Sequence, residues 1–299
     1  MHEARLRLSF TPPLDPSNLF GHLAATAVPG VEEWRDGAYR AAVRLAGGPA
    51  LVAVAPPVGD AVEVELLLTD PADAEDAQGR VRRLLDLDLD PARMGSVLSA
   101  DPLLAPLVHA APGRRVPGTL DAEAMVLRAV LGQQIATAAA RTLTGRLVAA
   151  VGEPLPEPVG GLTHLFPEAS VLLERADAVR EVLRMPEARR RTVLTVAGAL
   201  ADGSVDLLQP AAEVRAALLA LPGVGPWTAD TVRMRALADP DAFLAGDLGV
   251  VLAARRLGLP DRPGPLERHS RAWSPYRAHA VQYLWATGVH AVNTLPTGA

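Results

Sequence analysis

In the first part of the chain, apolar and polar residues alternate with a period of two or run apolar over short stretches, as in strands of a half-buried sheet. The segments with this pattern are residues 5–10, 38–45, 50–55 and 61–69. Glycines at 47–48 and a Pro-Pro-Val-Gly turn at 56–59 separate them, while residues 15–27 and 73–87 fit helices. Residues 1–88 are therefore predicted to form an α+β domain with an antiparallel sheet.

From about residue 89 onward the strand pattern disappears, and apolar residues recur at spacings of three and four, as they do along helices. The predicted helices cover residues 121–131, 137–151, 169–183, 188–201, 211–220, 226–237, 248–257 and 275–288. Residues 154–158 are predicted to be an exposed linker, because three of them are proline. Residues 89–299 are thus predicted to form a second, mostly helical domain.

The composition excludes several kinds of chemistry. The chain has no cysteine, which rules out disulfides, thiol nucleophiles and cysteine-held zinc or iron–sulfur clusters. It also has no lysine, so that all 29 basic residues are arginine. There is no long apolar run and no leader-like N-terminus, and we therefore expect a cytoplasmic protein without a membrane partner.

The charge is distributed unevenly along the chain. The net charge is −5, but residues 1–110 contain 9 arginines and 16 acidic residues, whereas residues 111–299 contain 20 and 18. Affinity for DNA depends on the charge of a local face and not on the total. The charge of the second part therefore permits DNA binding without predicting it.

The most informative segment is Leu-Pro-Gly-Val-Gly-Pro-Trp-Thr-Ala at residues 221–229, which connects two predicted helices. Glycines at 223 and 225 allow positive φ angles and a close approach of a partner, and free amides at a helix N-terminus favour an anion such as a DNA phosphate. The alternative is a plain turn between helices. The DNA-contact candidates are Gly223, Val224, Gly225 and Thr228.

This hairpin, followed after some twenty residues by Phe-Leu-Ala-Gly-Asp at 243–247, resembles the helix-hairpin-helix DNA glycosylase superfamily. Three further segments, at residues 19–25, 126–135 and 283–288, resemble the inducible bacterial 3-methyladenine DNA glycosylases, the AlkA type. The resemblance extends over nearly the whole chain. It implies that the helical part is a glycosylase core and that the first domain is the AlkA-type N-terminal domain.

The resemblance implies a catalytic role for Asp247. Base excision develops positive charge on the sugar, which a carboxylate near C1′ stabilises while it orients water. The alternative is a helix N-cap, and one residue can fill both roles. Superfamily members that also cleave the backbone use a lysine at the position of Trp227. Because lysine is absent, a monofunctional glycosylase without lyase activity is predicted.

The resemblance also places a base pocket. Trp227 and Trp285 correspond to tryptophans that line it, where they could stack on an electron-poor base; ordinary core packing is the alternative. His22, Thr231 and Leu248 occupy pocket positions at which the best-known members carry aromatic residues. The substrate range is therefore open, and His22 could simply be packed.

Two further features follow from the same resemblance. Gln134 stands where the family inserts a wedge into the duplex, with Gln133 beside it as a DNA contact; a solvated helix end is the alternative. Backbone carbonyls of Leu219, Leu221 and Val224 correspond to a set that holds a monovalent cation, Na⁺ or K⁺. No other cofactor is expected.

The predicted function is the excision of alkylated bases, such as 3-methyladenine and 7-methylguanine, from double-stranded DNA by a monomeric bacterial enzyme that works at the nucleoid. One alternative is a glycosylase for neutral, deaminated bases, and another is a catalytically weak protein that recognises damaged DNA. Specificity for oxidised purines or mismatched adenine is disfavoured by the absent lysine and cysteines.

Overall fold

The computed structural model describes residues 1–296, and its first part is an antiparallel five-stranded sheet in the order β1-β5-β4-β3-β2. The strands are β1 (His2–Ser9), β2 (Glu32–Arg35), β3 (Ala38–Leu45), β4 (Gly48–Val54) and β5 (Ala61–Leu68). Burial alternates along β5, and its apolar side chains pack against α1 (Ser17–Thr26) and α2 (Ala74–Leu84). The predicted α+β arrangement is confirmed.

The sequence did not predict strand β2. It pairs only with β3, at the edge of the sheet, and its residues Glu-Glu-Trp-Arg have no apolar alternation. Glu32 anchors it, because its carboxylate accepts hydrogen bonds from the Tyr39 hydroxyl at 2.9 Å and the Val28 amide at 2.8 Å. Pairing and these side-chain bonds, not hydrophobic patterning, define this strand.

The rest of the described chain is mostly helical, as predicted. Its helices are α3 (Pro91–Ser99), α4 (Ala105–Ala110), α5 (Ala122–Leu131), α6 (Thr137–Val151), α7 (Ala169–Glu174), α8 (Ala176–Val182), α9 (Glu187–Ala201), α10 (Ala211–Leu219), α11 (Pro226–Arg235), α12 (Leu248–Leu257), α13 (Pro263–His269) and α14 (Arg277–Ala286). Within residues 1–296, no helix has the length and apolar character needed to cross a membrane.

Two expectations about this part were wrong. Residues 154–158 are not a linker but lie in β6 (Glu153–Val159), which pairs with β7 (Leu162–Leu165) in a hairpin that packs on the outer face of the sheet. The prolines hid it, since proline is tolerated in edge strands although it cannot donate a ladder hydrogen bond. The helix predicted over 169–183 is broken at Arg175, whose φ and ψ are −106° and 30°.

The two parts of the chain are joined through a buried arginine. The Arg115 guanidinium donates to the carbonyls of Asp86 and Leu89 on one side and of Thr11 and Pro13 on the other, at 2.7–3.2 Å. These bonds fix the segment that leads from the sheet into the helices. As a result α1, which belongs to the first part, borders the cavity described next.

Candidate active site

Asp247 lies immediately before α12 and caps it. Its Oδ1 accepts a hydrogen bond from the Val250 amide at 3.0 Å, and its backbone is extended, with φ −70° and ψ 132°. This geometry is typical of an N-cap, which satisfies an amide that the helix itself leaves unpaired. The predicted capping role is therefore present, and it fixes the carboxylate at the start of the helix.

Two indole rings hold the same carboxylate from other directions. Trp227 Nε1 donates to Oδ2 at 2.9 Å, and Trp285 Nε1 donates to Oδ1 at 2.8 Å. Each oxygen thus faces a neutral N–H donor, and neither is neutralised by an ion pair within residues 1–296. The arrangement fixes the carboxylate in position while leaving its negative charge uncompensated.

Asp247 borders a cavity of about 630 Å³, called the main cavity below. All the residues that the sequence places in a base pocket line it: Trp227, Trp285, Leu248, Thr231 and His22. They come from α1, α11, α12 and α14, and the start of α6 completes the wall. The structure therefore brings together side chains that lie up to 263 positions apart in the sequence.

The pocket residues differ in their surroundings. Leu248 is 72% exposed at the cavity mouth, whereas Thr231 is buried and donates from Oγ1 to the Trp227 carbonyl at 2.7 Å. His22 is partly buried. Burial lowers the pKa of His22 well below its usual value, and the charges of Arg235 and Arg128 act in the same direction. His22 is therefore a neutral imidazole at neutral pH.

The sequence reasoning missed Arg235, which also lines the main cavity. It is 5% exposed, donates from Nη1 to the Pro117 carbonyl at 2.6 Å, and lies 5.5 Å from the ring centre of Trp285. The available signal was its position: Trp227, Thr231 and Arg235 follow one another at intervals of four and share one face of α11.

Residues 287–293, which follow α14, form another wall that the sequence did not predict. Asn293 secures this segment by donating from Nδ2 to the Trp285 carbonyl at 3.0 Å. The segment crosses α1 at Gly21, where a Cβ would lie 2.5 Å from the Thr294 carbonyl oxygen. Gly21 thus permits the close approach that closes this side of the cavity.

The two glycines of the hairpin between α10 and α11 differ in backbone conformation and in surroundings. Gly223 has φ +86°, and a Cβ there would lie 2.0 Å from Thr192 Oγ1, so both its conformation and its surroundings require glycine. Gly225 has φ −105° and open space around it. The expectation of positive φ was correct for Gly223 and wrong for Gly225, which is an extended N-cap residue. Val224 between them is buried.

Gln133 links the end of α5 to this hairpin. Its Nε2 donates to the Gly223 carbonyl at 3.1 Å and to Thr228 Oγ1 at 2.9 Å, while the Thr228 side chain is buried. Gln134 is exposed beside it and has φ +58°, an uncommon conformation for a residue with a side chain. Strained backbone of this kind concentrates at functional sites, so the wedge position remains a reasonable prediction.

The backbone carbonyls of the hairpin are neutral oxygen ligands, which is the type of ligand that a monovalent cation can bind. In the tight turn the Val224 amide donates a hydrogen bond to the Leu221 carbonyl oxygen at 3.1 Å. This bond uses one lone pair of the oxygen and leaves the second for a cation. The predicted set with Leu219 therefore remains a prediction. Among residues 1–296, no cluster of three or more His, Asp or Glu side chains has the spacing of a metal site.

Comparisons with known proteins agree with this geometry. Residues 5–121 match the family model described as the AlkA N-terminal domain. Over 294 residues, 97% of this chain, it is 48% identical to a Mycobacterium tuberculosis protein named "Probable bifunctional transcriptional activator/DNA repair enzyme AlkA". Residues 5–121 therefore carry the AlkA N-terminal domain, and the chain resembles an AlkA protein along nearly its whole length. It spans 58% of the length of that relative.

Two further proteins match along almost their whole length. The Escherichia coli "DNA-3-methyladenine glycosylase 2" is 29% identical over 287 residues, which are 94% of this chain and 96% of that protein. The solved structure of a 3-methyladenine DNA-glycosylase from Archaeoglobus fulgidus superposes with a TM-score of 0.81 at 19% identity, covering 94% of this chain and 97% of the other. The Archaeoglobus fulgidus structure thus has the fold of this chain over both the sheet and the helical part.

Proposed function

We propose that this chain is a monofunctional DNA glycosylase that flips an alkylated base out of duplex DNA and hydrolyses the bond joining it to the sugar. The observation that carries the proposal is the Asp247 carboxylate, which borders the main cavity and is held by two indole N–H groups and a helix N-terminus. Groups held in this way are preorganised for charge that develops during a reaction.

In the proposed reaction the bond between C1′ and the base nitrogen breaks, and its electron pair leaves with the base. An alkylated purine such as 3-methyladenine or 7-methylguanine is cationic while attached, so it departs as a neutral molecule and the positive charge moves to the sugar. Asp247 stabilises this oxocarbenium-like sugar and orients a water molecule. Water adds to C1′, and its proton passes to the carboxylate or to solvent.

The cavity and the hairpin supply binding. A volume of about 630 Å³ lies within the range of small-molecule sites and is large enough for a purine. The rings of Trp227 and Trp285 offer apolar faces for the flipped base, while the hairpin amides face a DNA phosphate. Gln134, exposed next to the hairpin, would fill the gap left in the duplex.

The names of the relatives support the choice of substrate. The Escherichia coli protein and the Archaeoglobus fulgidus structure are both named for 3-methyladenine. Without lysine, this chain lacks the side-chain amine that forms a Schiff base in glycosylases that also cleave the backbone. We therefore assign hydrolysis alone, by a monomer on damaged duplex DNA at the bacterial nucleoid, with Na⁺ or K⁺ held at the hairpin.

The test is the release of bases from methylated duplex DNA, separated by chromatography, by the wild type and by Asp247→Asn. Asparagine also caps helices well, so the variant removes the charge and keeps the cap. We expect the wild type to release 3-methyladenine or 7-methylguanine, to leave the abasic strand uncut and to form no adduct with borohydride. The variant should be slower by a factor of about 10² to 10³.

Two results would contradict the proposal. If the wild type releases no methylated base, the substrate is wrong, and release of hypoxanthine or mere binding of damaged DNA would then support the alternatives. If both proteins release the base equally fast, Asp247 is only a helix cap. Circular dichroism of the two proteins provides the control for folding.

A further inference from the structure

The lining of the main cavity carries excess positive charge. Among residues 1–296 its only carboxylate is Asp247, whereas four arginines border it: Arg128, Arg141, Arg235 and Arg256. Arg128 is neutralised by Glu32, with Nη1 2.8 Å from the carboxylate. The other three donate to backbone carbonyls, and none of the three has a carboxylate within 4.0 Å among residues 1–296.

Arg235 differs from the other two unneutralised arginines in its burial. Arg141 and Arg256 are exposed at the rim, where water and salt screen their charge, but Arg235 is only 5% exposed. Its Nη1 donates to the Pro117 carbonyl, and the side chain lines the main cavity.

Burial lowers the pKa of Arg235 to about 9, and repulsion from Arg128 contributes. That pKa lies well above neutral, so the guanidinium keeps its charge under physiological conditions. The charge stands 5.5 Å from the centre of the Trp285 ring. A base stacked on the opposite face of that ring would lie roughly 3.5 Å further away, about 9 Å from the guanidinium.

We propose that Arg235 is a specificity-determining residue: its unneutralised charge inside the base pocket weakens the binding of cationic bases relative to neutral bases. This inference rests on the proposed function, because it needs a flipped base in the main cavity. Two unit charges about 9 Å apart in a medium of effective dielectric about 20 repel each other enough to change an equilibrium by roughly twentyfold, which screening by salt reduces to about tenfold.

The effect should appear in binding more than in the chemical step. A nucleotide of 7-methylguanine is cationic before the bond breaks, and afterwards the positive charge is on the sugar beside Asp247. The Asp247 carboxylate offsets the repulsion between Arg235 and the sugar cation, so Arg235 should affect the binding of the cationic base more than its reaction. A nucleotide of hypoxanthine is neutral when it binds, so the guanidinium does not repel it in this way.

The experiment is single-turnover excision from two duplexes that are identical except for one 7-methylguanine or one hypoxanthine, at fixed ionic strength, with the enzyme titrated. The readout is the ratio of the two half-saturating enzyme concentrations, in which the fraction of active enzyme cancels. Arg235→Gln removes the charge. Arg235→Lys, compared with the other proteins at a pH of about 6 so that the buried amine stays protonated, keeps the charge while losing the planar fork. The ratio therefore separates a charge effect from a general loss of folding.

We expect Arg235→Gln to lower the ratio of the 7-methylguanine value to the hypoxanthine value about tenfold, and Arg235→Lys to leave it within about twofold of the wild type. A ratio unchanged in Arg235→Gln, with both bases still released by the wild type, would overturn the role of Arg235 and leave the proposed function standing. Release of neither base by the wild type would overturn both.

Discussion

Helix α11 lies between two cavities that differ in the pairing of their charged side chains. Trp227, Thr231 and Arg235 face the main cavity, where the aspartate is held by neutral donors and the buried arginine has no carboxylate partner within residues 1–296. On the other side, Asp230 and Arg233 border a second space of about 720 Å³, called the rear cavity here. The same ten-residue helix thus serves both.

In the rear cavity the charged groups are paired. Asp230 accepts from Arg215 at 2.7 and 3.1 Å and from Arg233 at 3.1 Å. Arg277 likewise bridges Asp241 at 2.7 Å and Glu267 at 3.0 Å. Pairing of this kind offsets part of the cost of burying a charge, and it leaves little charge for a ligand.

The comparison teaches that the two aspartates near α11 differ in role because they differ in partners. Asp230 is surrounded by guanidinium groups that neutralise it, and Asp247 by indole and amide groups that orient it without neutralising it. A preorganised and uncompensated charge is what a reaction with a cationic transition state requires. We therefore expect loss of stability from changes at the rear and loss of activity from changes at the front.

The largest stability effect is expected for Asp230→Asn. The change places a neutral amide against two guanidinium groups, of which Arg233 keeps another carboxylate, Asp239, while Arg215 has no other among residues 1–296; it should lower the free energy of unfolding by about 3 kcal/mol. Urea denaturation measures it. Asp177→Asn is the matched control, since Asp177 also contacts an arginine but its side chain is 99% exposed; its effect should stay below about 0.5 kcal/mol. Equal losses of stability in the two variants would mean that the ion pairs of Asp230 at the rear cavity do not stabilise the fold.

The next effect is expected at the hairpin. Gly223→Ala forces a side chain into a left-handed backbone against Thr192 and should destabilise the protein by about 2 kcal/mol, with weaker binding to DNA. Gly225→Ala tests the neighbouring glycine, whose φ is −105° and whose surroundings are open, and should be tolerated within about 0.5 kcal/mol. Thermal unfolding and DNA titration compare them; similar losses at both positions would contradict the assigned conformations.

A smaller effect is expected for Trp285→Phe, which keeps an aromatic face and removes the N–H that holds Asp247 Oδ1. The excision rate should fall about tenfold, the equivalent of about 1.4 kcal/mol, because the carboxylate is less well positioned. Trp273→Phe loses a similar bond, 2.8 Å long, to Asp101 outside the main cavity. It should change stability only. A loss of rate in Trp273→Phe as large as in Trp285→Phe would mean that the tryptophans act through folding.

Much of the fold could be predicted because it follows from hydrophobic periodicity. The predicted bounds of α6 and α12 agree with the structure to the residue, and the sheet follows from alternation such as that of β5. The missed elements carry weaker patterns. Strand β6 is interrupted by prolines, while α3 and α13 begin with a proline that also marks turns. The Asp-Pro start of α3, whose Asp90 caps the helix, was a usable signal.

The candidate site could be predicted only as far as motifs reach. The sequence named Asp247 and both tryptophans, but it gave no means of seeing that the indoles bind the carboxylate, because those contacts join residues 20 and 38 positions apart. The sequence did not indicate Arg235 for a related reason, because an arginine on a helix is usually solvated. Its burial depends on Pro117 and Trp285, which are brought next to it only by tertiary packing.

The most direct test of the contrast between the two cavities measures single-turnover release of 7-methylguanine by Asp247→Asn and Asp230→Asn, at a temperature where denaturation curves show both to be folded. We predict that Asp247→Asn loses at least about a hundredfold in rate with less than about 1 kcal/mol of stability, and that Asp230→Asn stays within about threefold of the wild-type rate although it is the less stable protein. Equal rates for the two variants, or a slower Asp230→Asn, would contradict the assignment of catalysis to the carboxylate held by the tryptophans.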